Sequence, residues 1–237
     1  MRKIIAMIPA RIGSKRIPKK NLRYLNGKPL ITYSIDAAKQ SGIFDEIYIN
    51  SDSEIFRQIA VDYNVKFYKR PDYLGSDSTN NDAFAFDFIN TIKGDILIQL
   101  LPTSPLITPG EIKDFVTELI NHQYDTFISV VNHQIACIFN NKPVNFKLLE
   151  PHISSQDMIP VQSYATVLMG WTYNSFINNM EKHGFAYHGA DSKIGYFPLK
   201  GLSGIDIDNE EDFEFAEVAL QFKSNINNFK KSYYESK

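Results

Sequence analysis

Short apolar segments alternate with amphipathic segments over residues 3–131 of the chain. The apolar segments are often β-branched, a composition that is typical of strands buried in a sheet. The predicted strands are residues 3–8, 46–50, 65–68, 95–101 and 126–131.

Helical patterns fill the intervals between these strands. The predicted helices are residues 29–40, 53–63, 79–93 and a segment that begins at residue 108. Thr79 and Asp82 have the spacing of a capping box, and Thr108 and Glu111 repeat it with Pro109 at the first helical position. Strands and helices that alternate in this way predict an α/β fold with a mainly parallel sheet and helices on both faces.

The pattern changes in residues 132–163, which contain three prolines and show little periodicity. We interpret this segment as an excursion that carries loops or an edge hairpin. Regular structure is predicted again at residues 164–173 and 194–199 and in a final helix over 210–222. Residues 223–237 are polar and are expected to fray or to lie on the surface. Because no internal repeat or linker interrupts the chain, residues 1–237 are interpreted as one domain.

Composition restricts the class of protein further. Of 237 residues, 43% are hydrophobic and 22% are charged, so the chain can bury a core without disulfides. The net charge of -2 argues against a dedicated nucleic-acid binder. No segment approaches the ~18 apolar residues of a membrane span, and the apolar run at residues 4–8 is too short for a signal peptide. With Cys137 as its only cysteine, the chain is expected to be a cytoplasmic protein.

A basic loop, residues 8–21, directly follows the first predicted strand. Its five basic residues are Arg11, Lys15, Arg16, Lys19 and Lys20. Ligands of open α/β sheets bind beyond the carboxyl ends of strands, and the small residues Gly13 and Ser14 would let a phosphate approach the backbone N–H groups. The loop therefore predicts a triphosphate site, with a solvated loop as the alternative. Its spacing fits neither a P-loop nor a dinucleotide fingerprint.

Two aspartates, Asp206 and Asp208, follow an apolar segment near the end of the chain. In an extended segment alternate side chains point to one face, and carboxylate oxygens are the hard ligands that Mg²⁺ prefers. The pair therefore predicts a metal site that is shared with phosphate oxygens. Asp208 and Glu211 also have capping-box spacing, so a helix cap is the alternative for Asp208.

Several motifs, taken together, resemble the cytidylyltransferases that make CMP-sialic acid and related CMP-sugars. They occur in the order found in that family and are Ala10-Arg11-x-Gly13-Ser14-Lys15, Lys20-Asn21, Asn26-Gly27-Lys28-Pro29-Leu30, Asn50-Ser51-Asp52, Arg70-Pro71, Ser76-Asp77, Pro102-Thr103-Ser104-Pro105, Ile205-Asp206-Ile207-Asp208 and Asp212-Phe213. The Lys19-Lys20-Asn21 ending of the loop is closer to the sialate branch than to the CMP-Kdo synthetases.

The resemblance implies a three-layer, Rossmann-like nucleotidyltransferase fold. It also implies a reaction in which an acidic sugar attacks CTP and pyrophosphate leaves, with Mg²⁺, or Mn²⁺ in its place, as the cofactor. Surface polysaccharide synthesis is the natural setting. The family is commonly dimeric, so residues 132–163 are expected to reach a second copy in a homodimer.

The resemblance also implies roles for individual residues. Lys20 would lie near the α-phosphate and stabilise the transition state, and Lys15 would lie near the outer phosphates. Arg11 would supply further fixed positive charge, and Asp206 would help to activate the sugar hydroxyl. Asp206 and Asp208 would hold the metal ion. The implied nucleotide-binding residues are Ala10, Arg11, Gly13, Ser14, Lys15, Lys20, Asn21, Arg70, Thr79 and Asn81, of which the last three would read cytosine. The implied sugar-binding residues are Gln99, Thr103 and Tyr187.

The chain departs from the sialate pattern at Leu101, where sialate enzymes usually have a sugar-binding glutamine. Gln99 lies two residues earlier and is the candidate substitute. Five histidines lack metal-ligand spacing and are interpreted as structural or surface residues, although His133 and His188 lie near the expected sugar contacts. The sugar therefore stays open, among nonulosonates and related 2-keto sugar acids. A sugar phosphate or polyol phosphate acceptor, or an inactive nucleotide-binding regulatory protein, are the alternatives.

Overall fold

The computed structural model describes residues 2–76 and 78–225, so most of segment 223–237 lies outside the described residues. The strands are β1 (Ile4–Pro9), β2 (Tyr24–Leu25), β3 (Lys28–Pro29), β4 (Glu46–Ser51), β5 (Lys66–Lys69), β6 (Ile96–Leu100), β7 (Thr126–His133), β8 (Ile138–Phe139), β9 (Lys142–Pro143), β10 (Val161–Thr172) and β11 (Ile194–Pro198). The α-helices are α1 (Ile31–Ser41), α2 (Ile55–Asp62), α3 (Asn81–Thr91), α4 (Pro109–Asn121), α5 (Tyr173–His183) and α6 (Glu210–Asn225).

The main sheet has seven strands in the order β11-β7-β10-β6-β1-β4-β5. β1 pairs in parallel with both β4 and β6, and β4 with β5 and β11 with β7 are also parallel. β10 is antiparallel to both of its neighbours. The mainly parallel sheet predicted from the sequence is therefore confirmed.

Alternate side chains of β1 point to opposite faces of the sheet. Ile4, Ala6 and Ile8 pack in a cluster with apolar residues of α1, α2 and α4. Ile5 and Met7 pack in a second cluster with residues of α3 and α5. This division gives the three-layer architecture that the resemblance implied.

A third apolar cluster positions the loops at the carboxyl edge of the sheet. It joins Ile17 of the basic loop to Ile207, which lies between the two aspartates, and to Phe213 of α6. The three side chains are almost fully buried. The cluster therefore holds the basic loop against the Asp-x-Asp segment, although 190 residues of chain separate Ile17 from Ile207.

The cap of α4 agrees with the sequence prediction, whereas the cap of α3 differs from it. Thr108 and Glu111 form the predicted capping box at the start of α4. The cap of α3 is Asn80, whose side chain accepts from the N–H of Ala83, so Thr79 does not have this role. Because Asn is an excellent N-cap, the helix is capped one residue later than predicted, at the N–H of Ala83 instead of that of Asp82.

The excursion at 132–163 is partly sheet. β7 and β10 continue as an antiparallel ribbon in which Val161 pairs with His133, and the short strands β8 and β9 form a hairpin between them. A hairpin is thus present, but it forms a separate two-stranded sheet and not an edge of the main sheet. The regular strands also extend further into the segment than expected. Helix α5 was not predicted, although Tyr173, Phe176 and Met180 have helical spacing.

None of the helices in the described part of the chain is long and apolar enough to cross a membrane.

Candidate active site

A cavity of about 530 Å³ lies beyond the carboxyl ends of the parallel strands, and we call it the basic cavity. Ten of the residues singled out from the sequence line it, and they are Arg11, Ser14, Lys15, Lys20, Asn21, Arg70, Asn81, Thr103, Asp206 and Asp208. Arg16 and Phe84 also line it. Arg16 belongs to the basic loop but was not assigned a role, and Phe84 gave no signal beyond a helical apolar position. A larger cavity of about 640 Å³ at the amino-terminal edge of the sheet contains none of these residues.

The Lys20 ammonium group is fixed at the floor of this cavity. It donates to the backbone oxygen of Ile207 at 2.5 Å and lies 3.5 Å from the Asp208 carboxylate, which also pairs with Arg16 at 2.9 Å. The Lys20 side chain is only 13% exposed. A buried ammonium group beside two further cations of the loop gives a strongly positive surface, which suits a polyphosphate.

The backbone of the basic loop is ordered by short-range contacts. Asn21 donates from its side chain to the backbone oxygen of Arg11 at 3.5 Å, and the N–H of Ser14 donates to the oxygen of Ile12 at 3.1 Å. A Cβ atom at Gly13 would meet nothing within 4 Å, so the space above this residue is open to a ligand. Ala10 is fully buried, and its N–H donates to the oxygen of Asn50.

Arg70 forms a second wall of the basic cavity. It is 3% exposed, its guanidinium carbon lies 5.0 Å from the centre of the Phe84 ring, and Asp52 lies 3.7 Å from Nη2. Burial lowers the pKa of Arg70, which the Asp52 carboxylate opposes, and an arginine stays protonated in either case. Its Nε has no hydrogen-bond partner among the described residues. A buried N–H in this state favours an acceptor supplied by a ligand.

Thr79 has a different surrounding from the other predicted base contacts. Its hydroxyl donates to the backbone oxygen of Tyr73 at 2.9 Å and lies 2.8 Å from Ser76 Oγ. Asn81 lines the basic cavity, whereas Thr79 is not among the lining residues. Thr79 therefore shapes the turn before α3.

The two aspartates also line the basic cavity, and both residues are half-buried. Oδ1 of Asp206 is buried and makes no hydrogen bond with any described residue. Burial raises the pKa of Asp206 and the nearby Asp208 carboxylate adds to this rise, while the Thr103 hydroxyl and the Lys20 ammonium group oppose it.

Asp208 is not the cap of α6. Asn209 accepts from the N–H of Asp212, and the Asp212 carboxylate accepts from the N–H groups of Asp208 and Asn209. The capping pair is therefore Asn209 with Asp212, and the predicted alternative of Asp208 with Glu211 is wrong. The Asp208 carboxylate is left to the cations of the basic loop.

The aspartate pair fits a hard divalent cation. Two carboxylates, one of which has a buried oxygen without a partner among the described residues, match the oxygen ligands of Mg²⁺, which usually takes only one or two carboxylates and completes its shell with phosphates and water. In keeping with so small a protein donor set, the described residues contain no group of three or more His, Cys, Asp or Glu side chains that could hold a metal.

A second cavity of about 300 Å³ lies on the other side of Asp206, which lines both cavities. Its walls come from the β7–β10 ribbon, with His133, Ser163, Tyr164 and Thr166 among the lining residues. The ribbon is irregular here, because its register shifts between Tyr164 and Met169 and Thr166 has a φ of 53°. Bulges of this kind often lie next to active sites.

Gln99 and Tyr187 are not among the lining residues of either cavity. Gln99 is fully buried in β6, and neither polar atom of its amide has a hydrogen-bond partner within the described residues. Burial raises the pKa of Tyr187 to about 12, and Asp82 and Asp206 add to the rise while Gln99 opposes it. The Tyr187 hydroxyl is therefore neutral at physiological pH.

Comparison with proteins of known sequence places these features in a family. The family model described as cytidylyltransferase matches residues 5–158. The chain is 31% identical to the pseudaminic acid cytidylyltransferase of Campylobacter jejuni over 228 residues, which are 91% of this chain and 95% of the relative. It is 36% identical to the N-acylneuraminate cytidylyltransferase of Streptococcus agalactiae over 132 residues, or 54% of this chain. It spans only 32% of that longer streptococcal protein.

Solved structures share the fold. A CMP:2-keto-3-deoxy-manno-octonic acid synthetase complexed with CTP has a TM-score of 0.72 at 15% identity, covering 93% of this chain and 99% of its own. A 4-diphosphocytidyl-2C-methyl-D-erythritol synthase from Anaerococcus prevotii has a TM-score of 0.67 at 16% identity, covering 93% and 96%. At these identities the likeness concerns the fold, whereas the family model and the Campylobacter relative extend to the sequence. The chain therefore belongs to the cytidylyltransferase family.

Proposed function

We propose that the protein is a CTP-dependent cytidylyltransferase that transfers CMP to a hydroxyl group of an acidic sugar, a nonulosonate or related 2-keto sugar acid, and releases pyrophosphate. The observation that carries the proposal is the position of Asp206, which lines both the basic cavity and the second cavity. A carboxylate at the junction of two cavities suits a reaction between two bound substrates.

In the proposed arrangement CTP occupies the basic cavity. Lys20, Arg11 and Lys15 surround the phosphates, with Lys20 nearest the α-phosphate and Lys15 nearest the outer phosphates. Fixed positive charges of this kind stabilise the negative charge that develops during phosphoryl and nucleotidyl transfer. The position of Lys20 is constrained, since its ammonium group donates to the backbone oxygen of Ile207.

Cytosine is proposed to lie between Arg70 and Asn81. Its carbonyl oxygen and ring nitrogen are acceptors, which match the unpartnered Nε of Arg70. The Asn81 side chain offers both a donor and an acceptor for the remaining edge of the base. Thr79 is proposed to act by holding the turn that precedes Asn81, since its own hydroxyl is used by Tyr73.

The acidic sugar is proposed to occupy the second cavity, with its reacting hydroxyl next to Asp206. The hydroxyl oxygen bonds to the α-phosphorus as the bond from that phosphorus to the pyrophosphate oxygen breaks. Asp206 is proposed to accept the hydroxyl proton, because it is the carboxylate that lines both cavities. Thr103 lines the basic cavity and hydrogen-bonds Asp206, so it is proposed to contact the sugar, with the buried Gln99 and Tyr187 supporting the site.

Asp206 and Asp208 are proposed to hold Mg²⁺, or Mn²⁺ in its place. When bound, the ion would neutralise phosphate charge and orient the α-phosphate. The support for this assignment is that Asp208 is not needed as a helix cap and that Asp206 has a buried oxygen without a protein donor.

A cytoplasmic homodimer that supplies CMP-sugars to surface polysaccharide synthesis is the setting we propose. The support for the dimer is the hairpin region of the excursion, which carries several exposed apolar side chains. They are Ile135, Ile138, Phe139, Val144, Leu148, Leu149, Ile153 and Ile159. So many exposed apolar side chains in one segment are more typical of an interface than of a solvated hairpin.

Pyrophosphate release tests the proposal directly. The purified protein is incubated with CTP, Mg²⁺ and, in separate reactions, pseudaminic acid, N,N'-diacetyllegionaminic acid, N-acetylneuraminic acid, 2-keto-3-deoxy-manno-octonic acid and a polyol phosphate. We expect release with at least one acidic sugar, together with the matching CMP-sugar in mass spectrometry. Release with the polyol phosphate alone would assign another acceptor class. CTP binding without turnover on any acceptor would indicate a regulatory protein.

A further inference from the structure

Asp82 joins two parts of the molecule that are 104 residues apart in sequence. It lies in the first turn of α3, directly after Asn81 of the basic cavity. Its Oδ1 accepts from the N–H groups of Ala186 and Tyr187 at 2.6 Å and 2.7 Å. Hydrogen bonds to a charged carboxylate are about twice as strong as neutral ones.

The loop that Asp82 holds is also fixed from its other side. Trp171 donates from Nε1 to the backbone oxygen of Tyr187 at 3.2 Å, and the two rings pack with centroids 5.6 Å apart. Ala186 and Tyr187 are buried and Trp171 is fully buried. With its N–H and its C=O both bonded to rigid elements, the Tyr187 backbone has little freedom to move.

The same loop supports a wall of the second cavity. The His188 ring packs against Tyr187 at 5.1 Å and against Tyr164 at 5.5 Å. Tyr164 lines the second cavity, together with Asp206. An unbroken set of contacts therefore runs from the base-reading end of α3, through Asp82 and the loop, to the second cavity.

We propose that Asp82 is a positioning residue that couples the two cavities, by fixing the Ala186–His188 loop against the wall formed by Tyr164. The proposal rests on the proposed function, since it assigns the second cavity to the acidic sugar. A nucleotide that orders the first turn of α3 would in this way order the sugar cavity as well. Because such coupling between two binding sites is reciprocal, the sugar would also strengthen binding of CTP.

Three variants separate this role from a general effect on stability. Asp82→Ala removes the acceptor, whereas Asp82→Asn keeps an oxygen at Oδ1 and can still accept from both N–H groups. The matched control is Asp125→Ala, because Oδ2 of Asp125 accepts from the N–H of Lys193 at 3.0 Å at the opposite edge of the sheet. Asp125 thus holds a distant chain segment in the same manner, away from both cavities.

For Asp82→Ala we expect KM for the sugar to rise by about tenfold, the equivalent of one lost hydrogen bond to a charged group. KM for CTP at saturating sugar should rise by a similar factor, because the coupling is reciprocal, whereas the Kd of CTP in the absence of sugar should change little. Asp82→Asn and Asp125→Ala should both stay close to the unsubstituted protein. A rise in the Kd of CTP alone as large as the rise in KM for the sugar, or an Asp82→Asn protein as impaired as Asp82→Ala, would overturn the proposal. If Asp82→Ala does not fold, Asp82→Glu displaces the carboxylate by one methylene and should give the same selective change.

A double-mutant cycle tests the route through the loop. His188→Ala removes the ring that connects the loop to Tyr164, so the effects of Asp82→Ala and His188→Ala on KM for the sugar should be less than additive. Residues that act through a shared contact give non-additive effects, whereas independent residues give additive ones. Full additivity would exclude the proposed route.

Hydrogen exchange distinguishes failure of this inference from failure of the proposed function. Asp82→Ala should speed amide exchange in a peptide that contains Ala186 and Tyr187 by at least about tenfold, since two N–H groups lose their acceptor. This measurement needs no substrate. Unchanged exchange overturns the positioning role. A protein that makes no CMP-sugar at all overturns the proposed function and leaves the exchange result to decide whether Asp82 holds the loop.

Discussion

Three buried polar atoms belong to side chains that line the basic cavity and have no hydrogen-bond partner among the described residues. They are Asn21 Oδ1, Arg70 Nε and Asp206 Oδ1. Each such atom costs about 1–3 kcal/mol when it is left unsatisfied. Three in one cavity are a considerable cost to folding, and they are better explained by ligand atoms that complete the hydrogen bonds when substrates bind.

Lys20→Ala should lower kcat by about 10²-fold or more, the usual effect of removing a preorganised electrostatic group. The variant also loses the hydrogen bond from Nζ to the oxygen of Ile207, so a stability loss of about 1 kcal/mol is expected. Steady-state kinetics and thermal unfolding measure the two effects. Lys19→Ala is the control, because Lys19 is exposed and does not line the basic cavity. Full activity of Lys20→Ala would refute its catalytic role.

Arg70→Lys should weaken the preference for CTP. Lysine keeps the charge, but it lacks the flat guanidinium group that packs near Phe84 and the Nε donor. We expect kcat/KM for CTP to fall by about tenfold or more, by analogy with the loss of one charged hydrogen bond, and to fall less for UTP. Assays with both nucleotides provide the measurement, and Arg57→Lys on the exposed surface of α2 is the control. If the unsubstituted protein uses CTP and UTP equally, the base site has been misassigned.

At the level of single residues, some site residues could be predicted from the sequence and others could not. The basic loop and the Asp-x-Asp pair could be predicted, because their charge patterns are local and each follows an apolar strand-like segment. Gln99 was the candidate substitute for the glutamine missing at Leu101, but β6 ends at Leu100. Strand alternation therefore does not extend to Leu101, which lines the basic cavity, while Gln99 is enclosed in the sheet.

At the level of elements, the start of α6 supplies both a cap and two metal-site candidates within four residues. Asn209 with Asp212 satisfies the first N–H groups of the helix. Asp208, one residue earlier, has its carboxylate beside Arg16 and Lys20. The sequence could not separate these roles, because Asp208–Glu211 and Asn209–Asp212 have the same spacing and both fit a capping box. Only the backbone geometry selects the second pair.

This separation of roles predicts opposite outcomes for neighbouring substitutions. Asp208→Asn should fold normally and lose most of its turnover, with partial recovery at high Mg²⁺, because asparagine lacks the ligand charge. Asn209→Ala should keep most of its turnover but lose about 1 kcal/mol of stability, the usual cost of removing an N-cap. Thermal unfolding and Mg²⁺-dependent rates measure both effects.

Asp206→Asn should be at least as damaging as Asp208→Asn, because Asp206 is also the proposed proton acceptor. EDTA should abolish the activity of the unsubstituted protein, and Mg²⁺ or Mn²⁺ should restore it, since both ions accept oxygen ligands. Wild-type rates for both aspartate variants at limiting Mg²⁺ would show that the pair is structural.

On the scale of the whole molecule, the two cavities differ in how far the sequence could predict them. The basic cavity is built from loops that directly follow predicted strands, and the general rule for ligands of α/β sheets places them together. The second cavity depends on the β7–β10 ribbon and on the register shift between Tyr164 and Met169. A register shift and a positive φ at Thr166 leave no mark in the hydrophobic pattern. For this reason the sugar-binding residues were expected only from the resemblance to the family, and not from the hydrophobic pattern.

The apolar side chains of the hairpin region predict a homodimer. Leu149 is fully exposed in the single chain, and Phe139 and Leu148 are 71% and 76% exposed. Burying a side chain of this size contributes about 1.5–3 kcal/mol, so several of them together can support a stable interface. Light scattering should therefore give twice the chain mass of 27.1 kDa. A strictly monomeric and fully active protein would contradict the prediction.

Substitution of the hairpin tests whether it is the contact surface. Phe139→Asp combined with Leu149→Asp should shift the protein to the monomer. At a concentration low enough for the unsubstituted protein to be monomeric as well, the two proteins should unfold at the same temperature, because both side chains are exposed within one chain. Val61→Asp on α2 is the control, since Val61 is 67% exposed but lies far from the hairpin in the sequence. The control should stay dimeric, because a single charge outside the interface leaves the apolar contact intact.

If the hairpin also completes the sugar site of the partner, the monomeric variant should show a higher KM for the sugar and an unchanged affinity for CTP. A dimer that survives both hairpin substitutions would place the interface on another surface.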